Sequence, residues 1–212
     1  MGRIRYSIIT PIYVGEDHEK ERRLKLFPKC IESIKNQTYD KEKIQQIIVN
    51  DGSTIPLKIP NYPWIKIIDQ NNLQRLTAYN NGFKKAKGEY LWCLDSDDEL
   101  FPKACEIMDE NIKKYPKYKI FNFGCIFRHS DGVETQRRPF KPKKKKKGHE
   151  IFGGGNIVNG TFVFHKSVFK DLGGFMPPAI EQIDTTEVAY PAHYGDPEPY
   201  IRDLFNTSPY DF

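Results

Sequence analysis

The sequence predicts an α/β fold in which a mostly parallel central sheet carries helices on both faces. Short apolar runs rich in β-branched residues alternate along the chain with longer segments whose apolar residues recur at helical spacing. This alternation is typical of parallel sheets, because the chain must cross back over the sheet between two strands that point the same way. Residues 90–94 are apolar throughout, as expected for a strand that is covered on both faces.

The first half of the chain is predicted to hold four strands and two helices. Residues 6–13 form the first strand, and a charged segment, residues 15–23, separates it from a helix that ends near Gln37. That helix is indicated by apolar residues at helical spacing, namely Leu26, Phe27, Cys30, Ile31 and Ile34. The remaining elements are strands at 44–49, 64–68 and 90–94 and a helix at 73–86, with Gly88 as its C-terminal signal.

The second half is predicted to begin with a helix that Pro102 opens and that continues to Lys114. Residues 118–128 and 161–165 are predicted as further strands, and a lysine-rich run and three consecutive glycines separate them. Since 212 residues are enough for one sizeable core, we expect residues 1–212 to form a single domain.

The composition predicts a folded, soluble protein, since 38% of the residues are hydrophobic and 29% are charged. No apolar run approaches the ~20 residues that a membrane-spanning helix needs, and we expect no secretory signal. The four cysteines lie among apolar residues without the spacing of metal or redox sites, so we expect reduced core residues and a cytoplasmic location. The five histidines are scattered, which argues against a zinc site built from histidine.

One lysine-rich run accounts for the net charge of +5. Residues 137–147 hold eight of the 33 Lys and Arg residues, and the rest of the chain holds 25 against 28 acidic residues. We expect a solvated loop near residues 137–150, and peripheral contact with an anionic membrane or an anionic acceptor is a second interpretation. RNA binding is disfavoured because aromatic residues are not interleaved with the lysines, so no nucleic-acid partner is expected.

The apolar strand at 90–94 ends in a cluster of carboxylates, which repel one another unless a cation lies nearby. Asp95 and Asp97 are one residue apart and can reach one hard cation from the same side, which favours Mn²⁺ or Mg²⁺. Asp51 follows the second strand and should lie beside them, because the carboxyl ends of parallel strands meet at one edge of the sheet. The alternative is that Asp97 or Asp98 only caps the helix that follows.

Four segments resemble glycosyltransferase family 2 in their order and approximate spacing: SIITPIY, IIVNDGST, NGFKKAKGEYLWCLDSDD and GTFVFHKSVFKDLGGF. The resemblance covers roughly residues 5–175. It implies the GT-A fold, which has a Rossmann-like, mostly parallel sheet, with a nucleotide-sugar-binding half at residues 1–100 and an acceptor-side half at 101–212. It also implies that an Asp-x-Asp-type motif holds a divalent metal against the diphosphate of a nucleotide-sugar.

The same resemblance implies roles for residues at the strand ends. Thr10, Pro11 and Tyr13 would form a wall around the base and ribose, although Tyr13 is equally well explained as an ordinary half-buried aromatic residue. Asp51 would accept a hydrogen bond from the base, usually uracil. Asp95 would contact the ribose or a metal-bound water, Ser96 would contact the nucleotide-sugar, and Asp97 would bind the metal directly. Arg75 and Asn80 would lie on the helix that faces the nucleotide.

Members of the family carry the catalytic base in a Glu-Asp pair that leads into a helix with a downstream Arg. The matching residues here are Asp196, followed by Pro197 and Arg202, whereas Gly195 replaces the Glu. Asp196 is therefore the candidate base, but a role as a helix N-cap alone explains it equally well. Three rivals lie in the long interval before it, namely Glu181, Asp184 and Glu187.

The resemblance implies a metal-dependent, inverting transferase of hexosyl or N-acetylhexosaminyl groups. The expected donor is a nucleotide-diphosphate sugar, above all a UDP-sugar, and the expected acceptor is a glycan or another hydroxyl compound. A catalytically silent module that binds a nucleotide-sugar or a glycan is the alternative, since the base motif is incomplete. A sugar nucleotidyltransferase is less favoured because its glycine-rich N-terminal phosphate loop is missing, with Gly2 and Gly15 the only early glycines.

Overall fold

The computed structural model of the chain describes residues 2–129, 131–137 and 162–175, which form two sheets and four α-helices. The strands are β1 (Tyr6–Ile12), β2 (Ile44–Asp51), β3 (Ile65–Gln70), β4 (Tyr90–Cys93), β5 (Ile120–Asn122), β6 (Cys125–Arg128), β7 (Glu134–Arg137) and β8 (Phe162–His165). The helices are α1 (Lys20–Lys35), α2 (Arg75–Lys85), α3 (Ala104–Lys114) and α4 (Lys166–Leu172).

The main sheet has six strands in the order β3-β2-β1-β4-β8-β5. The first four strands in the chain are parallel to one another, and β8 runs antiparallel to both of its neighbours. In this register Ile9 of β1 lies between Ile47 of β2 and Cys93 of β4. The predicted α/β class with a mostly parallel sheet is therefore confirmed.

Helices cover the sheet on both faces because successive side chains of a strand point to opposite sides. Tyr6 and Ile8 of β1 face a core that α1 and α3 complete with Cys30, Ile34, Cys105, Met108 and Ile112. Ile9, the residue after Ile8, faces a second core that α2 and α4 complete with Ala78, Tyr79, Phe83 and Val168. The centre of the sheet is thus buried on both sides, as the apolar run of β4 indicates.

Three of the four cysteines are free thiols in the interior, as predicted. Cys30, Cys93 and Cys105 are buried, whereas Cys125 at the start of β6 is only half-buried. None of the helices within residues 2–129, 131–137 and 162–175 is both long enough and apolar enough to cross a membrane. Of the lysine-rich run at 137–147, the described residues include only Arg137, the last residue of β7.

Two predicted helix starts are wrong, and the contacts of the flanking residues explain why. Helix α1 begins at Lys20, inside the charged segment 15–23 that was predicted to precede the helix. Its first turn is charged because it lies at the surface, where Lys20 pairs with Glu16 at 2.9 Å. Helix α3 begins at Ala104 rather than at Pro102, whose carbonyl oxygen accepts a hydrogen bond from the backbone N–H of Thr38 at 2.8 Å.

The strand predicted at 118–128 is divided into two strands that belong to different sheets. β5 is the edge strand of the main sheet and pairs with β8, whereas β6 forms a separate antiparallel hairpin with β7. An apolar run cannot indicate this break, since both parts have strand-like composition and the partner of each lies later in the chain.

Gly88 marks a close approach of two chain segments rather than a helix end. Helix α2 ends at Lys85, and Gly88 does not have the positive φ of a glycine C-cap. A Cβ atom added to Gly88 would lie 2.8 Å from the backbone carbonyl carbon of Tyr6. The backbone N–H of Gly88 also donates a hydrogen bond of 2.8 Å to Ser7 Oγ, so a side chain here would push the chain away from β1.

Substituting Gly88 by alanine is expected to destabilise the fold by ~1–3 kcal/mol, because the added methyl group meets backbone atoms of a central strand that cannot move aside. The exposed neighbour is a matched control: Lys87→Ala should change the free energy of unfolding by less than about 0.5 kcal/mol. Urea denaturation followed by tryptophan fluorescence measures both, and equal stability of the two variants would contradict this account of Gly88.

Candidate functional site

A cleft of about 450 Å³ opens at the edge of the main sheet where β1, β2 and β4 end. Residues at or just after the ends of the three strands line it together with the start of α1 and the start of α2, as expected for the carboxyl edge of a parallel sheet. The lining residues are Pro11, Ile12, Tyr13, Glu19, Arg22, Arg23, Asp51, Asn72, Gln74, Arg75, Asp95, Ser96 and Asp97. Seven of the positions implied by the resemblance therefore come together: Pro11, Tyr13, Asp51, Arg75, Asp95, Ser96 and Asp97.

Two further predicted positions make other contacts. Thr10 is fully buried, and its Oγ1 accepts a hydrogen bond of 3.1 Å from Gln46 Nε2 beneath the cleft. The Asn80 side chain binds the backbone of Phe175, donating to the carbonyl oxygen at 2.6 Å and accepting from the N–H at 2.8 Å. Asn80 thus ties α2 to the segment after α4. The predicted base, Asp196, and its three rivals lie outside the described residues.

Asp51 is held in place by neutral hydrogen-bond donors. Its Oδ1 accepts from Gln70 Nε2 at 2.7 Å and from the backbone N–H of Leu73 at 2.8 Å. The chain can turn beneath it because Gly52 has a φ of +74°, and a Cβ there would lie 2.7 Å from the backbone nitrogen of Asn72. Within the described residues Oδ2 of Asp51 has no hydrogen bond, so this oxygen can accept one from a ligand in the cleft.

Asp95 is positioned by two residues of α2 that lie one helical turn apart. The hydroxyl of Tyr79 donates to Oδ1 at 2.7 Å, and Arg75 Nη1 lies 3.4 Å from Oδ2. Burial, followed by the nearby Cys93 and Asp95, raises the pKa of Tyr79, so its hydroxyl stays protonated as a donor. Sequence analysis missed Tyr79, although its spacing of four residues from Arg75 places both on the same side of α2.

Asp97 forms an ion pair with a residue that sequence analysis also missed. Arg22 Nη2 lies 2.6 Å from Asp97 Oδ2, and Arg22 Nη1 lies 3.0 Å from Glu19 Oε2. Arg23 stands beside it with its guanidinium 5.9 Å from the centre of the Tyr13 ring, and it pairs with Asp17 at 2.8 Å. The order of the elements could have indicated Arg22, because a helix that follows β1 begins at the edge of the sheet where β1 ends.

The carboxylate cluster does not cap the following helix, which was the alternative interpretation. Helix α3 begins after Lys103, and in its first turn the backbone N–H of Cys105 donates to Gln37 Oε1 at 3.0 Å rather than to a carboxylate of the cluster. Partial burial, followed by the charges of Asp97 and Asp95, raises the pKa of Asp98 to about 7. A bound cation would relieve the part of this shift that comes from the charges of Asp97 and Asp95.

The donor set at this edge consists of carboxylate and hydroxyl oxygens, which suit a hard divalent cation. Asp95 and Asp97 provide two carboxylates, and no cluster of three His, Cys, Asp or Glu side chains suited to a metal occurs within the described ranges. Two carboxylates are nevertheless sufficient for Mg²⁺ when phosphate oxygens complete its coordination. Three arginines of the same cleft, Arg22, Arg23 and Arg75, add positive charge suited to an anionic ligand.

Comparison with known proteins places this arrangement in a family. Residues 7–173 match the sequence model of the family described as glycosyl transferase family 2. YibD of Escherichia coli, described as an uncharacterized glycosyltransferase, is 34% identical over 109 residues, which are 48% of this chain and 28% of YibD. The poly-beta-1,6-N-acetyl-D-glucosamine synthase of Staphylococcus epidermidis is 28% identical over 154 residues, which are 68% of this chain and 37% of the synthase. The chain thus spans 28% and 37% of the length of these two curated relatives.

Solved structures of transferases share the fold. TarS 1–349 of Staphylococcus aureus in complex with UDP superposes with a TM-score of 0.61 and 17% identity, covering 82% of this chain and 51% of that one. The mannosyltransferase PcManGT of Pyrobaculum calidifontis in complex with GDP-Man and Mn²⁺ gives a TM-score of 0.53 and 16% identity, covering 83% of this chain and 48% of that one. The predicted GT-A type of fold is therefore confirmed.

Removing the Tyr79 hydroxyl with Tyr79→Phe is expected to destabilise the protein by ~1–2 kcal/mol, because Asp95 loses a short, charge-assisted hydrogen bond while the ring packing is kept. Tyr6→Phe is the matched control. The Tyr6 hydroxyl is buried without a hydrogen-bond partner among the described residues, so its loss should be neutral or stabilising. Urea denaturation compares the two variants, and a larger loss for Tyr6→Phe would contradict the role given to Tyr79.

Proposed function

Since this chain belongs to glycosyl transferase family 2, we propose that its cleft binds a nucleotide-diphosphate sugar together with a divalent cation and that the sugar passes, with inversion, to an acceptor hydroxyl. One observation carries this proposal: Asp51, Asp95 and Asp97 meet three arginines in one cleft of about 450 Å³. Such a mixture suits a ligand that combines a hydrogen-bonding base, a cation and a diphosphate, whereas a simple anion or a simple cation would meet repulsion there.

We propose UDP-sugars as the donors because of the hydrogen bonds that Asp51 makes. Its Oδ1 is occupied by donors from the protein, and Oδ2 is left as a single fixed acceptor, which suits one N–H group of a uracil ring. Tyr13 and Pro11 line the same cleft and offer apolar surface to a base or ribose. The UDP bound in the TarS structure is consistent with this assignment.

Asp95 and Asp97 are the residues that would hold Mn²⁺ or Mg²⁺. Tyr79 and Arg75 fix the Asp95 carboxylate before any ligand arrives, so little reorganisation is needed when the cation binds. Bound there, the cation would supply charge neutralisation for the departing diphosphate. Arg75 and Arg22 would add positive charge beside the same diphosphate.

The reaction also needs a base that takes the proton of the acceptor hydroxyl, and we propose Asp196 for this role. Its support is the match to the base-to-Arg spacing of the family, because residues 176–212 lie outside the described part of the chain. The proton moves to the Asp196 carboxylate as the hydroxyl oxygen attacks the anomeric carbon, and the diphosphate leaves on the opposite side of the sugar.

Asp97→Ala is expected to weaken Mn²⁺-dependent binding of UDP by about tenfold or more, since even the residues that support a metal ligand cost 10–100-fold in metal affinity when replaced. Isothermal titration calorimetry with UDP and Mn²⁺ measures the affinity. Glu110→Ala removes an equal charge from the exposed side of α3 and should leave the affinity unchanged. Unchanged affinity in Asp97→Ala would refute the assignment of Asp97 as a ligand.

Asp196→Asn is expected to preserve UDP affinity while lowering the rate of sugar transfer by ~10² or more, because the base acts on the acceptor and not on the donor. Asn still caps a helix, so stability should be kept. Asp184→Asn is the matched control and should transfer at the normal rate. If Asp184→Asn abolished transfer while Asp196→Asn remained active, the base would be Asp184 instead. Donor binding without transfer by the unaltered chain would indicate a binding module.

A further inference from the structure

The ion pair between Arg22 and Asp97 occupies an oxygen that the proposed cation would need. Arg22 Nη2 lies 2.6 Å from Asp97 Oδ2, a distance typical of a strong charge-assisted hydrogen bond. A guanidinium N–H and a divalent cation on the same carboxylate oxygen repel each other, so each weakens the binding of the other. Binding of a cation at Asp97 through this oxygen therefore favours the departure of Arg22.

We propose that Arg22 is an exchangeable counter-ion, which pairs with Asp97 when the cation is absent and moves to the diphosphate of the donor when the cation binds. This inference rests on the proposed function, since it needs a cation at Asp97 and a diphosphate in the cleft.

The position of Arg22 allows this exchange. Its backbone belongs to the first turn of α1 and is fixed, while 53% of its side chain is exposed and its head lines the same cleft as Asp95 and Asp97. Glu19 lies 3.0 Å from the other end of the guanidinium and can retain Arg22 while it changes partner. The long side chain can thus turn within the cleft without any movement of the sheet.

The other two arginines of the cleft differ from Arg22 in their partners. Arg23 pairs with Asp17, which is not one of the cleft-lining carboxylates. Arg75 lies 3.4 Å from Asp95, so its contact with that proposed ligand is looser, and Tyr79 already satisfies the other oxygen. Among the cleft arginines, Arg22 has the shorter contact with a proposed cation ligand.

The strength of the pair suits an exchange. Asp97 is 32% exposed, and partly exposed ion pairs change an equilibrium constant by a factor of only about 1.5 to 5. The pair is therefore strong enough to weaken binding of the cation alone and weak enough to be replaced when a diphosphate offers Arg22 a new partner. Release of Arg22 from Asp97 frees a carboxylate oxygen for the cation and a guanidinium for the diphosphate. Each ligand should therefore favour binding of the other.

Electron paramagnetic resonance of free Mn²⁺ tests this exchange on the full chain without any catalytic assay. In the absence of nucleotide, Arg22→Gln should bind Mn²⁺ about threefold more tightly than the unaltered chain. Arg23→Gln reports the general effect of removing one positive charge from the cleft, and its gain should be clearly smaller. Saturating UDP should tighten Mn²⁺ binding by a smaller factor in Arg22→Gln than in the unaltered chain, whereas Arg23→Gln should keep the normal factor.

Equal Mn²⁺ affinities of the unaltered chain and Arg22→Gln without nucleotide would overturn the exchange, and so would equal gains in both arginine variants. These results would leave the proposed function intact as long as Mn²⁺ binds with UDP. Failure of Mn²⁺ to bind the unaltered chain even with saturating UDP would instead overturn the proposed cation site, and the exchange with it.

Discussion

The parallel pairing of β1 with both β2 and β4 is the constraint on which the site depends. The register that joins Ile12 to Asn50 and Ile9 to Cys93 brings the ends of three strands to one edge of the sheet. The residues that follow each strand must therefore enter one cleft. A shift of one residue in either pairing would exchange the two faces of the strand and bury polar side chains, so the hydrophobic cores on both faces also protect the geometry of the site.

Within that cleft the three carboxylates are compensated in two different ways. Asp51 accepts hydrogen bonds from neutral donors, and the short bond to Asp95 also comes from a neutral hydroxyl group, with Arg75 at a longer distance of 3.4 Å. Asp97 instead pairs with the guanidinium of Arg22 at 2.6 Å. The first arrangement prepares ligand contacts in advance, and the second leaves one contact to be made when a cation replaces the arginine.

Helix α2 connects the cleft with the segment after α4, which packs on the same face of the sheet. Its first turn carries Arg75 and its next turn Tyr79, both of which contact Asp95. The residue after Tyr79, Asn80, binds the backbone of Phe175 through both ends of its amide. One helix thus contacts both Asp95 and the segment after α4, through the neighbouring residues Tyr79 and Asn80.

Local patterns in the sequence were sufficient for the fold class, the four parallel strands and the three carboxylates of the cleft, whereas the family resemblance implied Pro11, Tyr13, Arg75 and Ser96. They were sufficient because apolar periodicity depends on neighbouring residues, and because the ends of parallel strands meet at one edge whatever the side chains are. The carboxylates after β2 and β4, Asp51, Asp95 and Asp97, were placed in this way.

The partners of those carboxylates were decided by the tertiary structure alone. Arg22 and Asp97 are 75 residues apart in the chain, and Asn80 and Phe175 are 95 residues apart, so no local pattern indicates either contact. The division of residues 118–128 between two sheets depends in the same way on β7 and β8, which follow later. The sequence by itself determined which groups reach the edge of the sheet, whereas only packing between distant segments decided which of them touch, because hydrogen bonds and ion pairs require positions that the whole fold sets.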